Sequence, residues 1–446
     1  MASELRVNTI NSRSGLGTIT VSDTGAVFTG ITTIGSVTVD GGTVTGNLTG
    51  TASTATASAT AYGLSGSPTL TGITSVSTTN LTVNGSAYPS AGPLSNRNLI
   101  INGNMKIAQR STGIVTTSDN TNEGYQTIDR YGFSFGSTHG GSIGLGQTIT
   151  VPSSQGFTNS YFGDVKSNST PTANQLTAIY TKIEAQDIAN SGWDYTSTSS
   201  YITLSFWARS SKAGTYCFYV DSQDADTYEK YVKEYTLVAD TWKKIECAIP
   251  GKSTLKYNND NGEGMNVSWT LSAGSSRNGS TADTWETGNN VATSNQVNFF
   301  DTIGNQFFLT GVQLEVGSVA TPFEHRSFGD ELARCQRYYQ KSYNYSKAPG
   351  TTTSENMTMV YGVTNGANDI AWNQVATVSM RTNASVTYYS QTGTLGSWGY
   401  SRSGASGTAT VTLYRNGENG WSSFIDLGTS WVPAAVEGHW VASAEL

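Results

Sequence analysis

Apolar and polar residues alternate in short runs along most of this chain, and in one stretch the period lengthens. Val312, Leu314 and Val316 are apolar at every second position, the period of a half-buried strand. Pro322 breaks that regularity. From Ser327 the steps become four, three and four, so Phe328, Leu332, Cys335 and Tyr339 share one face of a predicted helix. Ser327 can cap it, with Asp330 three residues on in the manner of a capping box and four residues before Arg334. A lone helix of about a dozen residues is marginal, so this one needs something to pack against.

The rest reads as strands. Ile202, Leu204, Phe206 and Ala208 point one way, and Tyr201, Thr203, Ser205 and Trp207 the other. A strand with both faces partly apolar belongs in a two-sheet sandwich. Further strands are predicted at 216–220, 242–249 and 306–316, with Gly/Asn/Ser loops between them, and a weak helical turn at 181–190. Beyond the helix, strands are predicted at 358–363, 376–380, 385–390, 409–414 and 440–444. Glycine-rich loops, 391-QTGTLGSWGYSRSGASG-407 and 416-NGENGWSSF-424, join them.

The N-terminal part differs. Leu5, Val7 and Ile10 alternate among Glu4, Arg6 and Arg13, which suggests a short strand and turn. Between Asp40 and Arg97 there is no charged side chain, only Thr, Ser, Gly and short alternating pairs such as Leu81 with Val83. Such text can be a flexible linker. It can equally be an intertwined shaft, because neutral β-formers with open edges aggregate unless something closes them, and three identical chains would. The shaft is the preferred reading. The small-residue run 51-TASTATASATA-61 is compatible with a helical or an extended neck.

Composition narrows the function. The chain has 446 residues, enough for two or three domains. Charged residues are only 13%, against about a quarter in ordinary globular domains, while tyrosines number 23 and tryptophans 10. That balance suggests extended β structure with aromatic surfaces. A net charge of −7 and the lack of any Lys/Arg cluster argue against a nucleic-acid partner. Cys217, Cys247 and Cys335 have no metal-ligand spacing and form no disulfide framework; they read as small buried hydrophobes. The opening MASELRVNTINS does not read as a secretory signal, and no apolar run approaches the length of a membrane span.

Catalysis finds little support. His139, His325 and His439 lie in unrelated segments, and no nucleophile elbow, zinc motif or phosphate-binding glycine loop is present. No cofactor is implied. The carboxylates Asp221, Asp224, Asp226 and Glu229 read first as a polar loop, then as oxygen ligands for calcium, and last as a glycosidase pair, since that chemistry needs only two carboxylates. Sugar binding fits better. Pyranose faces rest on aromatic rings while amides and hydroxyls bond the rim. Candidates on Gly/Ser/Asn-rich stretches are Trp193, Tyr195, Trp285, Trp398, Tyr400 and Trp421, with Trp398, Tyr400 and Trp421 preferred as tip-loop residues. Trp207, Trp242 and Trp440 lie in strand patterns and read as core.

Several stretches resemble one family. The run VQLEVGSVATPFE followed by ELARCQRYYQK resembles a signature of bacteriophage tail fibre proteins, in which a carbohydrate-binding-module-like jelly roll leads into a C-terminal β domain. The stretches 98-NLIINGNMKIAQRS-111, 125-YQTIDRYGF-133, 202-ITLSFWARSS-211 and 440-WVASAEL-446 strengthen the resemblance, and the first 90 residues are similar to the shafts of marine and cyanophage fibres. The resemblance implies an elongated all-β homotrimer. Its parts would be a tail-attachment segment (1–20), a β shaft (21–95), a jelly-roll β-sandwich (96–325), a linking helix on the threefold axis (326–345) and a C-terminal β-sandwich as receptor-binding tip (346–446). Phe328, Leu332, Cys335 and Tyr339 would form the trimer seam. The implied partners are a phage tail or baseplate protein at the N-terminus and a host surface polysaccharide, in a virion assembled in the host cytoplasm. The expected role is non-catalytic adhesion. The rivals are a tailspike-like polysaccharide depolymerase and a purely structural fibre segment.

Overall fold

A computed structural model of the chain describes residues 96–118, 123–136, 140–225, 227–363, 369–428 and 433–446, with one short hairpin, β1 (Thr82–Val83) and β2 (Ser86–Ala87), ahead of them. The attachment segment and the shaft otherwise lie outside the described residues, as do His139 and Asp226. All described residues belong to one unit, Ser77–Leu446.

Twelve strands build the first sandwich: β3 (Val115–Ser118), β4 (Gly132–Gly136), β5 (Ser142–Thr148), β6 (Ser160–Ser167), β7 (Leu176–Glu184), β8 (Tyr201–Ser210), β9 (Gly214–Ser222), β10 (Glu229–Leu237), β11 (Lys243–Pro250), β12 (Glu263–Ala273), β13 (Trp285–Thr287) and β14 (Gln306–Val316). They form two six-stranded antiparallel sheets, β13-β10-β9-β12-β7-β4 and β11-β8-β14-β6-β5-β3. The alternation along β8 does what its spacing predicts: Ile202, Leu204, Phe206 and Ala208 face the core. There Phe206 meets Phe218 edge-on at 5.5 Å and Trp269 at 5.6 Å. Each such ring contributes on the order of 1.5–3 kcal/mol of burial. The turn foreseen at 181–190 is α1 (Ala185–Ala189).

The second sandwich follows the helix α2 (Phe328–Gln336). Its strands are β15 (Tyr339–Lys341), β16 (Thr358–Val363), β17 (Asp369–Val375), β18 (Ser385–Tyr389), β19 (Ser397–Arg402), β20 (Ala405–Thr410), β21 (Thr412–Gly417), β22 (Gly420–Asp426) and β23 (Pro433–Ser443). The long β23 organises it. Its first half pairs with β16 and β19, and its second with β15 and β18. A small sheet, β17-β22-β21, packs over it around Trp372, Trp398, Trp421 and Trp440.

The four quoted stretches other than β8 meet in a buried knot at the junction of the sandwiches. Glu445, next to the last residue, takes hydrogen bonds from Arg110, at 2.9 Å, and from Arg130. Those guanidinium groups lie over the rings of Tyr339, at 3.8 Å, and Tyr338, at 3.5 Å. Arg337 grips Glu184 with two bonds of 2.7 and 2.8 Å, and the Tyr338 hydroxyl donates to the same carboxylate. These partners hold Glu184 below the usual carboxylate range despite its burial. Asn102 closes the knot through its amide, bonding the carbonyls of Ile107 at 2.8 Å and Asp129 at 2.9 Å.

Several expectations change. Ser327 does cap α2, accepting from the Asp330 N–H at 3.2 Å, but the helix ends at Gln336 and Tyr339 opens strand β15. Cys335 and Tyr339 are buried within this single chain, while Phe328 is exposed and packs on Tyr345 at 5.5 Å. These residues and half-buried Leu332 therefore do not form a common outward seam. The strand predicted at 376–380 lies earlier, as β17, and the one at 409–414 is split between β20 and β21 at Val411. All three cysteines are buried and unpaired, as their sequence context suggests.

Candidate functional site

The fold reverses the expected placement of several tryptophans. The supposed tip loops are hairpins, β19-β20 and β21-β22, whose inward positions hold Trp398 and Trp421. Trp398 has 0% exposure, stacks on Trp372 at 4.5 Å and donates its indole N–H to the His439 carbonyl. Trp421 has 4% exposure and meets Trp440 edge-on. Neither offers a ring face to a ligand. Tyr400 is half-buried against the same core, with Arg402 over its ring at 5.4 Å. Trp193 and Trp285 are core residues of the jelly roll, and Tyr195 packs against that core. Trp440 is buried as expected.

Trp207 and Trp242, in contrast, are only half-buried. The strand pattern already contains the reason for Trp207: with Phe206 and Ala208 facing the core, the residue between them must face outward. It stands on the outer face of the β11-β8-β14 sheet, beside Lys244 on one neighbour and Thr310 on the other.

A groove of about 510 Å³ opens over this ring. Its floor is Ser205, Trp207, Lys244, Glu246 and the backbone at Gly311, one wall is the 153–157 loop, and the other is the segment 319–325. That second wall is the VGSVATPFE part of the quoted signature doubling back across its own strand. Glu315 fixes the return by accepting from the Thr321 N–H at 2.8 Å and hydroxyl at 2.6 Å, and Gln313 accepts from the Glu324 N–H at 2.8 Å. The return delivers Val319, Phe323 and His325 to the rim. Gly311, at φ 63°, makes a bulge in β14, and a Cβ there would lie 2.5 Å from the ring of Phe157, which fills the opposite side.

The groove thus presents the Trp207 indole bordered by other rings. Phe157 lies 5.5 Å from His325, and Phe323 lies 4.9 Å from it. Loss of solvent, followed by the charge of Lys106, lowers the His325 pKa, so the imidazole is neutral at pH 7. Lys244 and Glu246 pair at 2.7 Å but are exposed, so the pair is weak and both heads remain available to hydroxyl groups. Two residues further along the sheet, about 6.6 Å away by strand geometry, a second row continues the apolar surface. Phe308 meets Trp242 at 6.1 Å and Phe162 at 5.2 Å, with Arg209 over its ring at 4.8 Å. Phe308 is itself buried beneath Arg209, with half-buried Trp242 and Phe162 on either side of it.

The 221–229 carboxylates go elsewhere. Asp224 bonds the backbone and amide of Asn258 at 2.8 and 2.7 Å, and Glu229 takes Lys252 at 2.8 Å and Thr254 at 2.7 Å. Asp221 is buried on the outer face of the other sheet, where lost solvation pushes its pKa up to about 6 against the bond from Gln223. Among the described residues no group of His, Cys, Asp and Glu is placed to hold a metal ion. Glu246 is the one carboxylate among the groove's lining residues.

Comparison with known proteins adds names without deciding function. No family model and no curated protein matches the chain. Among solved structures it is similar to the enzymatically active domain of a bacteriophage CBA120 tailspike, at 12% identity and a TM-score of 0.24, over 42% of this chain and 19% of that one. It is also similar to a family 11 carbohydrate-binding module of a Clostridium thermocellum cellulase, at 12% identity and a TM-score of 0.24, over 49% of this chain and 99% of that one. A third is the module TmCBM61, solved with β-1,4-galactotriose, at 10% identity and a TM-score of 0.24, over 49% of this chain and 98% of that one. Likenesses this distant carry no weight for chemistry, which rests on the groove itself.

Proposed function

We propose that the chain is a glycan-binding protein that holds a polysaccharide along the outer face of the β11-β8-β14 sheet without cleaving it. The observation that carries this reading is Trp207 standing outward in a groove of about 510 Å³ whose lining also supplies Ser154, Gln155, Ser205, Lys244 and Glu246. An aromatic ring for the sugar and polar side chains around it for the hydroxyls are what pyranose recognition needs. Binding without turnover is supported by the single carboxylate in the groove, since glycoside hydrolysis ordinarily uses two. The groove's one lysine is paired with its one carboxylate, which favours a neutral or weakly charged glycan.

The wider reading is an adhesive fibre of a phage virion. It would be homotrimeric, joined to the tail through residues 1–20, and would use three copies of a modest site for avidity. This part is supported by the resemblance of the quoted stretches and by the uncharged, threonine-rich text before Arg97. Affinity electrophoresis of the whole chain through gels containing soluble glucan, xylan, galactan or mannan tests the binding claim. Retardation in at least one gel, abolished by Trp207→Ala, is expected; free migration in every gel would overturn it. Release of reducing ends from the retarding polysaccharide would replace binding with depolymerisation. Native mass in dilute buffer tests the trimer.

A further inference from the structure

The C-terminal sandwich carries a second aromatic face that differs in charge from the groove. On the small sheet, Ala371 pairs with Phe424 and Asn373 with Ser422, all on the side away from the tryptophan core. The third strand interrupts this register: β21 slips by one residue between Leu413 and Arg415. Such a bulge sets two consecutive side chains on one face. The two are Tyr414, with 64% exposure, and Arg415, whose guanidinium lies 5.1 Å from the Tyr414 ring. The Tyr414 ring in turn meets Phe424 at 6.3 Å and 76°. A hollow of about 320 Å³ lies between them, bordered by Asn373 and Ser422, at the low end of small-molecule sites.

The polar groups here are mostly donors. Ser422 donates its hydroxyl to the Asn373 side-chain oxygen at 2.6 Å, so the Asn373 amide keeps its N–H groups as donors at the hollow's border. Arg415 has no carboxylate partner among the described residues. Leu413, Trp421 and Ser423, on the other side of the sheet, explain the fold of these strands without calling for an arginine beside the rings.

We propose that this face binds one anionic sugar residue. The ring would rest against Tyr414 and Phe424, and its acidic group would take the Arg415 guanidinium in a charge-assisted, two-point bond. Charge complementarity favours such an occupant over a neutral glycan, and repulsion between two chains of net charge −7 opposes a second copy. The shared chemistry is an anionic group on a pyranose, available as a uronate carboxylate or a sulfate ester, and the carboxylate matches the planar fork better.

The test is calorimetric titration of the full chain with alginate oligosaccharides, carrageenan oligosaccharides and a neutral gluco-oligosaccharide, comparing wild type, Arg415→Gln, Tyr414→Ala and Trp207→Ala. Alginate binding that weakens roughly tenfold or more in Arg415→Gln, and persists in Trp207→Ala, is the expected result. Preference for carrageenan with the same Arg415 dependence would assign the sulfate source. Alginate binding unchanged in Arg415→Gln, absence of binding to either acidic glycan, or a concentration-dependent rise in mass that Arg415→Gln removes would overturn the proposal. The last would give the face to a second copy. Because Arg415 and Tyr414 are exposed, their variants should melt with wild type, and Trp207→Ala reports separately on the jelly-roll groove.

Discussion

The two sandwiches both bury tryptophans, but only the larger one also sets tryptophans on the outside of a sheet. In the C-terminal sandwich Trp372, Trp398, Trp421 and Trp440 are turned inward and make up much of a small core. In the jelly roll Trp193, Trp269 and Trp285 share a large core with many Phe, Ile and Leu side chains, and Trp207 and Trp242 are left over on the outside of a sheet. The difference follows from size. A small sandwich has few inward positions and gains most by filling each with a large ring. A larger one can leave rings half-exposed, where they cost stability little and can hold a ligand.

The largest effect expected from breaking this comparison is on the inward side. Trp398→Ala removes a fully buried ring and the partner of the His439 carbonyl, and should cost about 3–5 kcal/mol, read as a fall in the denaturant midpoint. A loss below about 1 kcal/mol would mean that Trp398 is not the core anchor described. Glu445→Gln strikes the joint between the regions. It removes the countercharge of Arg110 and Arg130, whose pKa values Glu445 helps to hold up against burial. Breaking a buried pair of this kind costs roughly 3–5 kcal/mol, and the two sandwiches should then melt in separate calorimetric transitions. One unchanged transition would contradict the joint's role.

Trp207→Ala sharpens the outward side. It should reduce glycan affinity at least tenfold while shifting stability by less than about 1 kcal/mol. Equal losses of folding and binding would return Trp207 to the core. A pH effect is expected at Asp221. Its carboxyl is pushed up to about 6 from 3.8 by burial, so between those values the folded chain holds a proton that the unfolded chain has released. Stability contributed there falls as pH rises through that window. Asp221→Asn should flatten the slope and raise stability at pH 7 by roughly 1–3 kcal/mol, with no gain below pH 3.8. Urea melts at a series of pH values measure it, and an unchanged slope would contradict the assignment.

Much of the architecture was legible. Strands β14 and β16 begin and end where their alternation does, and Ser327 caps the helix its spacing announces. The outward direction of Trp207 was also legible, since its neighbours Phe206 and Ala208 are apolar and buried. Reading both faces as apolar obscured it. Trp398 could not be placed in this way. Its glycine-rich surroundings look like a loop, and its burial depends on Gly438, forty residues away, where a Cβ would come within 2.3 Å of the indole. The groove was hidden for the same reason. Its lining comes from residues 154–157, 205–207, 244–246 and 311–325, and only sheet pairing joins them.

The most direct test is the indole N–H spectrum of the ¹⁵N-labelled chain, titrated with the polysaccharide that retards it most strongly in gels. The Trp207 signal, assigned by Trp207→Phe, should shift progressively to saturation, while the signals of Trp398, Trp421, Trp193 and Trp285 stay in place. Saturating binding that leaves Trp207 unmoved, or that moves the buried four instead, would contradict a glycan seated on the outer face of the jelly roll.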